Sequence, residues 1–229
     1  MSPEVPNALI VVAKQPAPGK TKTRLTPPLD PEQASQLYEC LLKDTLDLIR
    51  QVNQVQPVVA FLPAGAEPYF QQMAPDFDLI LQEGPDLGAR LDNAISAYFS
   101  QGYQRVVIMN SDGPTLPSPY LSQAFTALED SSDVVLGPCE DGGYYLIGAK
   151  APIPYLLRGV QMSTPTVAED TIALAVEAGL RLHLLPTWYD VDDAASLIRL
   201  AKEVENGDRR AAAHTRRFIA QHLSGDGLR

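Results

Sequence analysis

The chain has 229 residues and a formal net charge of −10, with 28 acidic against 18 basic side chains. This length accommodates one α/β domain with a sizeable core, and the acidic balance disfavours general nucleic-acid binding, which needs a basic face. The two cysteines lack metal-type spacing, and no apolar run is long enough to cross a bilayer. We therefore expect a cytoplasmic protein that acts on small molecules, with no nucleic-acid or membrane partner; the oligomeric state stays open.

Apolar runs of strand length alternate with helical patterns along the chain. The predicted strands are Ala8–Ala13, Pro57–Leu62, Asp78–Leu81, Arg105–Asn110, Asp133–Leu136, Tyr144–Ala149 and Leu180–Leu185. The predicted helices are one that starts at Asp30 and runs to about Val52, then Leu87–Ser100, Pro119–Leu128, Pro165–Ala178 and Ala194–Glu205. Such alternation predicts an α/β fold, a three-layer αβα sandwich around a mostly parallel sheet. We expect one domain over residues 1–207 and a solvated helical tail over 208–229, to which no chemistry is assigned.

Capping signals predict where several helices start. Asp30, Pro31 and Gln33 have the pattern of a capping box with proline at the first helical position. Ser118 and Asp193 are predicted to cap the helices that follow them, and segment 163–166 is predicted to cap the next-to-last one.

A positively charged loop follows the first predicted strand, and it contains Lys14, Lys20, Lys22 and Arg24. No acidic residue occurs over positions 5–29. Because Pro16 and Pro18 lack backbone N–H donors, such a loop would hold phosphate mainly through side chains. In an extended segment Lys22 and Arg24 would point to the same side. Phosphate binding is the favoured interpretation of this loop, and an ordinary exposed basic loop is the alternative.

Acidic residues follow two of the predicted strands. Asp112 comes just after the fourth strand, and Asp190 and Asp192 come after the last one. Ligand sites in open α/β sheets lie at the carboxyl ends of strands, so Asp112 and Asp192 are candidate ligands of Mg²⁺ or Mn²⁺, which take carboxylate oxygens together with phosphate oxygens. The alternatives are an Asx turn at Asp112 and a simple capped helix start at 190–193. Whether Asp190 assists Asp192 stays open.

The Asp141-Gly142-Gly143 turn lies between two strand-like arms and predicts a hairpin. Gly142 and Gly143 would also let the backbone approach a ligand closely. Asp141 would then bond a substrate hydroxyl or act as a general base. Arg90, in the first turn of a predicted helix, would reach a phosphate or remain a solvated surface residue.

These motifs together resemble the transferases associated with radical-SAM and selenoprotein-type domains, some named arsenosugar-biosynthesis glycosyltransferases, in the nucleotide-diphospho-sugar transferase superfamily. The resemblance covers nearly residues 8–200. Its carriers are the segments 13–16, 22–25, 86–90, 111–116, 137–138, 141–148 and 190–192. Gly113 and Thr115 stand where the family usually has Cys and Asp, and Asp193 replaces a Thr. The chain is more distantly similar to 2-phospholactate and molybdenum-cofactor guanylyltransferases.

The resemblance implies a GT-A fold of the nucleotide-diphospho-sugar transferase type, with a metal held by Asp112 and Asp192. The expected nucleotide-binding residues are Lys14, Lys22, Arg24, Arg90, Gly142 and Gly143. The expected catalytic residues are Asp141, Lys22 and Arg24. We expect a Mg²⁺-dependent transferase that moves a glycosyl group from a nucleotide sugar to a small acceptor. Two alternatives remain open: a nucleotidylyltransferase that uses a nucleoside triphosphate and a phosphorylated small molecule, and a nucleotide-binding module without turnover.

Overall fold

A seven-stranded sheet forms the centre of the computed structural model, which describes residues 3–207 and 211–223. Its strands are β1 (Asn7–Lys14), β2 (Val55–Leu62), β3 (Asp78–Leu81), β4 (Arg105–Met109), β5 (Val134–Pro138), β6 (Tyr144–Ala149) and β7 (Leu182–Leu184). They are arranged in the order β3-β2-β1-β4-β6-β5-β7. Among these strands β6 alone runs antiparallel to its neighbours. The predicted α/β fold with a mostly parallel sheet is confirmed.

Helices cover both faces of the sheet. They are α1 (Pro31–Ile49), α2 (Glu67–Met73), α3 (Leu87–Ser100), α4 (Ser118–Asp130), α5 (Pro154–Arg158), α6 (Val167–Glu177), α7 (Ala194–Asn206) and α8 (Ala213–His222). Successive side chains of a strand point to opposite faces. Accordingly Leu9 and Val11 of β1 pack with α1, α2 and α4, whereas Ala8 and Ile10 pack with α3, α5 and α6. Of the helices described, none is both long and apolar enough to span a bilayer.

The capping predictions have mixed outcomes. Asp30 and Gln33 form the predicted capping box at the start of α1, and Asp193 caps α7 through its bond to the Ser196 amide. The prediction for Ser118 is wrong, because Ser118 is itself the first residue of α4 and no side chain caps that helix. The cap of α6 is also wrong: Thr166 occupies the cap position, but its hydroxyl donates to Asp170 instead of accepting from the backbone.

Three elements differ from the prediction because they are short. Helices α2 and α5, of 7 and 5 residues, were not predicted; neither is long enough to show helical periodicity. The last strand is shorter than predicted, because only Leu182–Leu184 pairs with β5.

The tail helix is not the solvated element that the sequence predicted. Phe218 and Ile219 of α8 are buried in a cluster with α1 and α7. Asp44 of α1 accepts hydrogen bonds from the backbone N–H groups of His214 and Thr215, and it thereby caps α8. The predicted boundary between domain and tail stays a prediction, and residues 208–210 and 224–229 of that tail lie outside the described part of the chain.

Candidate functional site

A cavity of about 810 Å³ opens at the carboxyl ends of β1 and β4, beside the start of β6. Its lining includes residues of every polar motif singled out in the sequence: Lys14, Lys20, Lys22, Arg24, Arg90, Asp112, Asp141, Gly143, Asp190 and Asp192. Gly142 does not belong to the lining. The cavity lies at the sheet edge where α/β proteins bind ligands.

Lys22 joins the two aspartates that the sequence nominated as metal ligands. Its Nζ lies 2.7 Å from Oδ1 of Asp112 and 2.7 Å from Oδ1 of Asp192. These two oxygens are therefore separated by no more than twice that distance. Loops that follow β4 and β7 thus bring two carboxylates, 80 positions apart in the chain, to a single positive charge.

The ion pair is held in a protected environment. The Lys22 side chain is 7% exposed, and its Nζ lies 5.9 Å from the centre of the Tyr38 ring. Burial alone would lower the pKa of this ammonium group, but the charges of Asp112 and Asp192 outweigh burial and raise the pKa above its ordinary value. Lys22 therefore remains charged and balances the carboxylates.

The basic loop is not extended between Lys22 and Leu25. Lys22 has left-handed backbone angles, with φ 50° and ψ 40°, and Thr23–Leu25 forms a single 3₁₀ turn. The prediction that Lys22 and Arg24 share a side of an extended segment is wrong for this reason. Both nevertheless approach Asp192: the Arg24 side chain is 78% exposed and its Nη2 lies 3.6 Å from Oδ2 of Asp192.

The other cations of the loop are accessible from the cavity. Lys14 and Lys20 are exposed, and neither forms an ion pair with another described residue. The loop between them is closed by Thr21, whose amide and hydroxyl both donate to the carbonyl oxygen of Ala17. The ammonium groups of Lys14 and Lys20 therefore line the cavity without an ion-pair partner among the described residues.

Asp190 adds a third carboxylate beside the pair. Its Oδ2 accepts a hydrogen bond of 2.8 Å from Nδ2 of Asn110. Its Oδ1 is buried and accepts no hydrogen bond of ordinary length from a described residue, although the Cys139 thiol lies close enough to interact with this carboxyl group. Burial, followed by the negative charge of Asp112, raises the pKa of Asp190 to about 7. The adjoining Val191 amide donates to the Asp112 carbonyl oxygen, which fixes the two loops together.

The residues present fit a divalent cation. Mg²⁺ prefers oxygen ligands and usually takes one or two protein carboxylates. Asp112 and Asp192 already face one cationic nitrogen, and among residues 3–207 and 211–223 the buried Oδ1 of Asp190 has no hydrogen-bond donor at ordinary distance. A buried unpaired carboxylate oxygen is costly unless a cation or donor satisfies it.

A second group of possible metal ligands lies outside the cavity lining, on α1 and α8. Ligand atoms of Asp44, Asp47 and His214 all lie within 4.8 Å of one another. Both oxygens of Asp44 accept backbone N–H groups of α8, however, and Nε2 of His214 lies 3.3 Å from Oδ2 of Asp47. This group gives no signal in the sequence, because His214 is 170 positions away from Asp44 and only the fold brings them together.

The Asp141 turn is a hairpin that joins β5 and β6, as predicted. Gly142 has φ 87°, and a Cβ there would overlap the carbonyl oxygen of Pro165. One oxygen of Asp141 accepts the Gly143 amide at 2.8 Å, and the exposed carboxylate lines the cavity. Turn geometry and close packing therefore account for Gly142, while its contact with a ligand stays a prediction.

Arg90 lines the cavity, and part of its guanidinium group is bound to the protein backbone. Its Nε donates to the carbonyl oxygen of Gly84 at 3.1 Å. Tyr38 and Gln82 are among the lining residues that were not predicted from the sequence. Tyr38 belongs to the buried stripe of α1 and gives no separate signal in the sequence; its hydroxyl bonds the Lys14 amide and Ser111.

Comparison with known proteins adds a family and several structures. The family described as "uncharacterized protein conserved in bacteria" (DUF2064) matches residues 45–164. A crystal structure from Desulfovibrio desulfuricans G20, provisionally named a nucleotide-diphospho-sugar transferase, is 30% identical, with a TM-score of 0.89 over 98% of this chain and 96% of that chain. No curated protein matches the chain.

More distant structures share the fold. A cytidylyltransferase from Leptospira borgpetersenii serovar Hardjo-bovis is 13% identical, with a TM-score of 0.60 over 96% of each chain. A CMP:2-keto-3-deoxy-manno-octonic acid synthetase in complex with CTP is also 13% identical, with a TM-score of 0.56 over 85% of this chain and 96% of that chain. At these identities the likeness concerns the fold alone.

Proposed function

Because this chain belongs to the DUF2064 family and has the fold of nucleotide-diphospho-sugar transferases, we propose that it is a Mg²⁺-dependent transferase that uses a nucleotide-activated donor. The reaction we propose is glycosyl transfer from a nucleotide sugar to a small acceptor. The observation that carries this proposal is the convergence of Asp112 and Asp192 on one positive charge, at the rim of a cavity with accessible lysines.

In this proposal the aspartates hold the metal and the basic loop holds the diphosphate. Asp112 and Asp192 bind Mg²⁺, or Mn²⁺ in its place, with Asp190 alongside. A divalent cation held there offsets the negative charge that develops on the leaving diphosphate. Lys14 and Arg24 lie on the accessible side of the loop, where a nucleotide diphosphate would meet them first.

Lys22 has two roles in the proposal. Without ligands, its ammonium group neutralises the aspartates. When a metal and diphosphate enter, the same ammonium group is free to turn towards phosphate oxygens, where a compact charge on a flexible stem is effective. Arg24 offers a planar fork that matches phosphate geometry. Electrostatic stabilisation of the leaving group is usually the largest contribution to such catalysis.

Asp141 is the proposed general base. One of its oxygens is held by the Gly143 amide, which fixes the carboxylate towards the cavity. The exposed carboxylate would take the proton from an acceptor hydroxyl as that oxygen attacks the donor. Gly143 lines the cavity beside it, so the backbone of this turn would contact the bound ligand, and Arg90 would approach the nucleotide from α3.

A nucleotidylyltransferase is the second candidate, since four basic residues in one loop would also suit a triphosphate. A thermal-shift panel separates the candidates: nucleotide sugars and nucleoside triphosphates are each tested with and without Mg²⁺. We expect Mg²⁺-dependent stabilisation by a nucleotide sugar or its nucleoside diphosphate, followed by release of nucleoside diphosphate on turnover. Release of pyrophosphate from a triphosphate would favour the second candidate. Binding without either product would leave a nucleotide-binding module, and binding that ignores Mg²⁺ would contradict the proposed metal site.

A further inference from the structure

The cavity has two walls with different charge. Its cationic lining residues are on the basic loop, with Arg90 as the one addition from α3. A second part of the lining, which we call the hairpin wall, is formed by the turn before β6 and the segment before α6. Its lining residues are Asp141, Gly143, Tyr144, Met162, Ser163, Thr164, Pro165 and Val167. None of these is basic, and one is acidic.

The hairpin wall is a connected unit rather than two independent loops. The Ala168 amide donates to the carbonyl oxygen of Gly142 at 3.0 Å, and Gly142 packs against the Pro165 carbonyl without room for a Cβ. The Tyr144 hydroxyl lies 3.5 Å from Sδ of Met162. A ligand that touches this wall therefore meets a fixed surface of hydroxyl, aromatic, thioether and carboxylate groups.

The arginines near the hairpin wall already have protein partners. Arg90, on the helix whose Gly88 packs near Met162, lines the cavity, and its Nε donates to the Gly84 carbonyl oxygen. Arg158 of α5 binds Asp92 at 2.5 Å and Asn93 at 2.7 Å on α3. Arg199 of α7 binds Glu140 at 2.6 Å and lies over the Tyr189 ring. Neither Arg158 nor Arg199 lines the cavity.

A phosphorylated ligand is therefore poorly suited to this wall. A phosphate monoester carries a charge of roughly −1.5 to −2 at neutral pH, and here it would face the Asp141 carboxylate with no basic side chain from the wall. Like charges that lose water repel strongly. A neutral polyol, by contrast, presents hydroxyl groups to Asp141, Ser163 and Thr164 and its apolar edges to Tyr144 and Met162.

We propose that the second substrate, bound at the hairpin wall, is a small hydroxyl compound without a phosphate group. This inference rests on the proposed function and selects glycosyl transfer within it. The acceptor hydroxyl gives its proton to Asp141, and its oxygen forms a bond to the anomeric carbon of the donor. The bond from that carbon to the diphosphate oxygen breaks, and the nucleoside diphosphate leaves with the electron pair.

The test compares matched neutral and phosphorylated probes on the full chain. The protein is loaded with Mg²⁺ and whichever of UDP, GDP, CDP or ADP stabilises it in a thermal shift. Titration calorimetry then compares methyl glucoside with glucose 1-phosphate, and glycerol with glycerol 3-phosphate. We expect each neutral probe to bind at least about tenfold more tightly than its phosphate counterpart.

A charge variant makes the test independent of any one probe. Thr164→Lys places a cation on the hairpin wall, and we expect it to move the binding ratio towards glucose 1-phosphate by about tenfold or more. Thr166→Lys is the matched control, because Thr166 lies two residues away and does not line the cavity; it should leave the ratio unchanged.

Three results would overturn the inference: equal or tighter binding of the phosphorylated probes, no binding of either neutral probe, or release of pyrophosphate from a nucleoside triphosphate with glucose 1-phosphate. Each of these leaves the Mg²⁺-dependent nucleotide site intact. If instead no nucleotide binds in a Mg²⁺-dependent way, the proposed function itself fails, and this inference fails with it.

Discussion

One acidic cluster lines the cavity and another lies outside it, and the two differ in what already binds their oxygens. In the cavity cluster of Asp112, Asp190 and Asp192, one side-chain ammonium balances two carboxylates, and a buried oxygen has no hydrogen-bond partner among the residues that the structure describes. In the helix cluster of Asp44, Asp47 and His214, backbone amides of α8 take both oxygens of the buried aspartate.

The difference shows that proximity of carboxylates is a weak indicator of a metal site. The ligand atoms of the helix cluster all lie within 4.8 Å of one another, yet its central carboxylate, that of Asp44, already caps α8. An acidic side chain in that position stabilises a helix N-terminus. In the cavity cluster, the buried Oδ1 of Asp190 has no hydrogen-bond partner among the described residues, and the cluster lines the cavity. This contrast favours the cavity cluster as the proposed metal site.

The largest expected effect separates the two clusters directly. Asp112→Asn and Asp192→Asn should each weaken Mg²⁺-dependent nucleotide binding by more than about 100-fold, because even outer-shell partners of metal ligands contribute about 10- to 100-fold. Isothermal titration calorimetry with Mg²⁺ and a nucleoside diphosphate measures this. Asp47→Asn is the matched control in the helix cluster and should bind as the unaltered protein does. Loss in the control with no loss in the other two variants would reverse the assignment.

Lys22→Met tests the internal neutralisation of the cavity cluster. The substitution leaves two partly buried carboxylates without their cation. We expect the free energy of unfolding of the metal-free protein to fall by about 2–3 kcal/mol. This is less than the loss for a fully buried ion pair, because solvent reaches both carboxylates. The variant should also bind Mn²⁺ alone more tightly than the unaltered protein, as measured by electron paramagnetic resonance of free Mn²⁺. Unchanged stability together with unchanged Mn²⁺ affinity would show that Lys22 does not stand between the aspartates.

The Asp190 carboxyl group gives the cavity cluster a pH signature. Its pKa is raised to about 7 in the folded protein, so the folded protein retains a proton that the unfolded chain releases near pH 4. The free energy of unfolding of the metal-free protein should then be highest near pH 4 and should fall as the pH rises from about 4 to about 7, by roughly 4 kcal/mol.

Asp190→Asn should flatten this decline, because the amide has no proton to release. Urea unfolding at pH 5 and pH 8 in the presence of a chelator measures the difference. An identical pH dependence in both proteins would mean that Asp190 ionises normally in the fold.

The smallest expected effect concerns the helix cluster. Asp44→Ala removes the cap of α8 and should lower the free energy of unfolding by about 1 kcal/mol, the usual size of a lost helix cap. Nucleotide binding with Mg²⁺ should be unaffected, since Asp44 lies outside the cavity lining. If calorimetry showed weakened Mg²⁺-dependent binding in this variant, the helix cluster would have to be part of the metal site.

Long periodic segments were the most predictable part of the fold. The predicted bounds of α3, β3 and β6 agree with the structure, and the capping box of α1 was read from three residues. Strand ends followed by acids also predicted which motifs would share one sheet edge, because the carboxyl ends of parallel strands meet there. All the candidate site residues except Gly142 line a single cavity.

Features set by tertiary contacts were not predictable. The left-handed backbone of Lys22 depends on how the loop closes over the aspartates, and nothing in the local sequence requires it. The burial of α8 depends on a capping aspartate in α1, far away in the chain. Hydroxyl residues before helices suggested caps at Ser118 and 163–166. In the structure Pro117 precedes the first turn of α4, which includes Ser118. The Thr166 hydroxyl, at the start of α6, donates to Asp170.

The reversed direction of β6 has a geometric consequence for the reaction. Were this strand parallel to its neighbours, the turn that carries Asp141 would lie at the amino-terminal rim of the sheet. The strand has 6 residues, so at a rise of about 3.3 Å per residue the displacement would be roughly 20 Å, too far for any proton transfer. One antiparallel strand thus brings the proposed base to the same edge of the sheet as the proposed metal ligands, where one bound molecule would reach both.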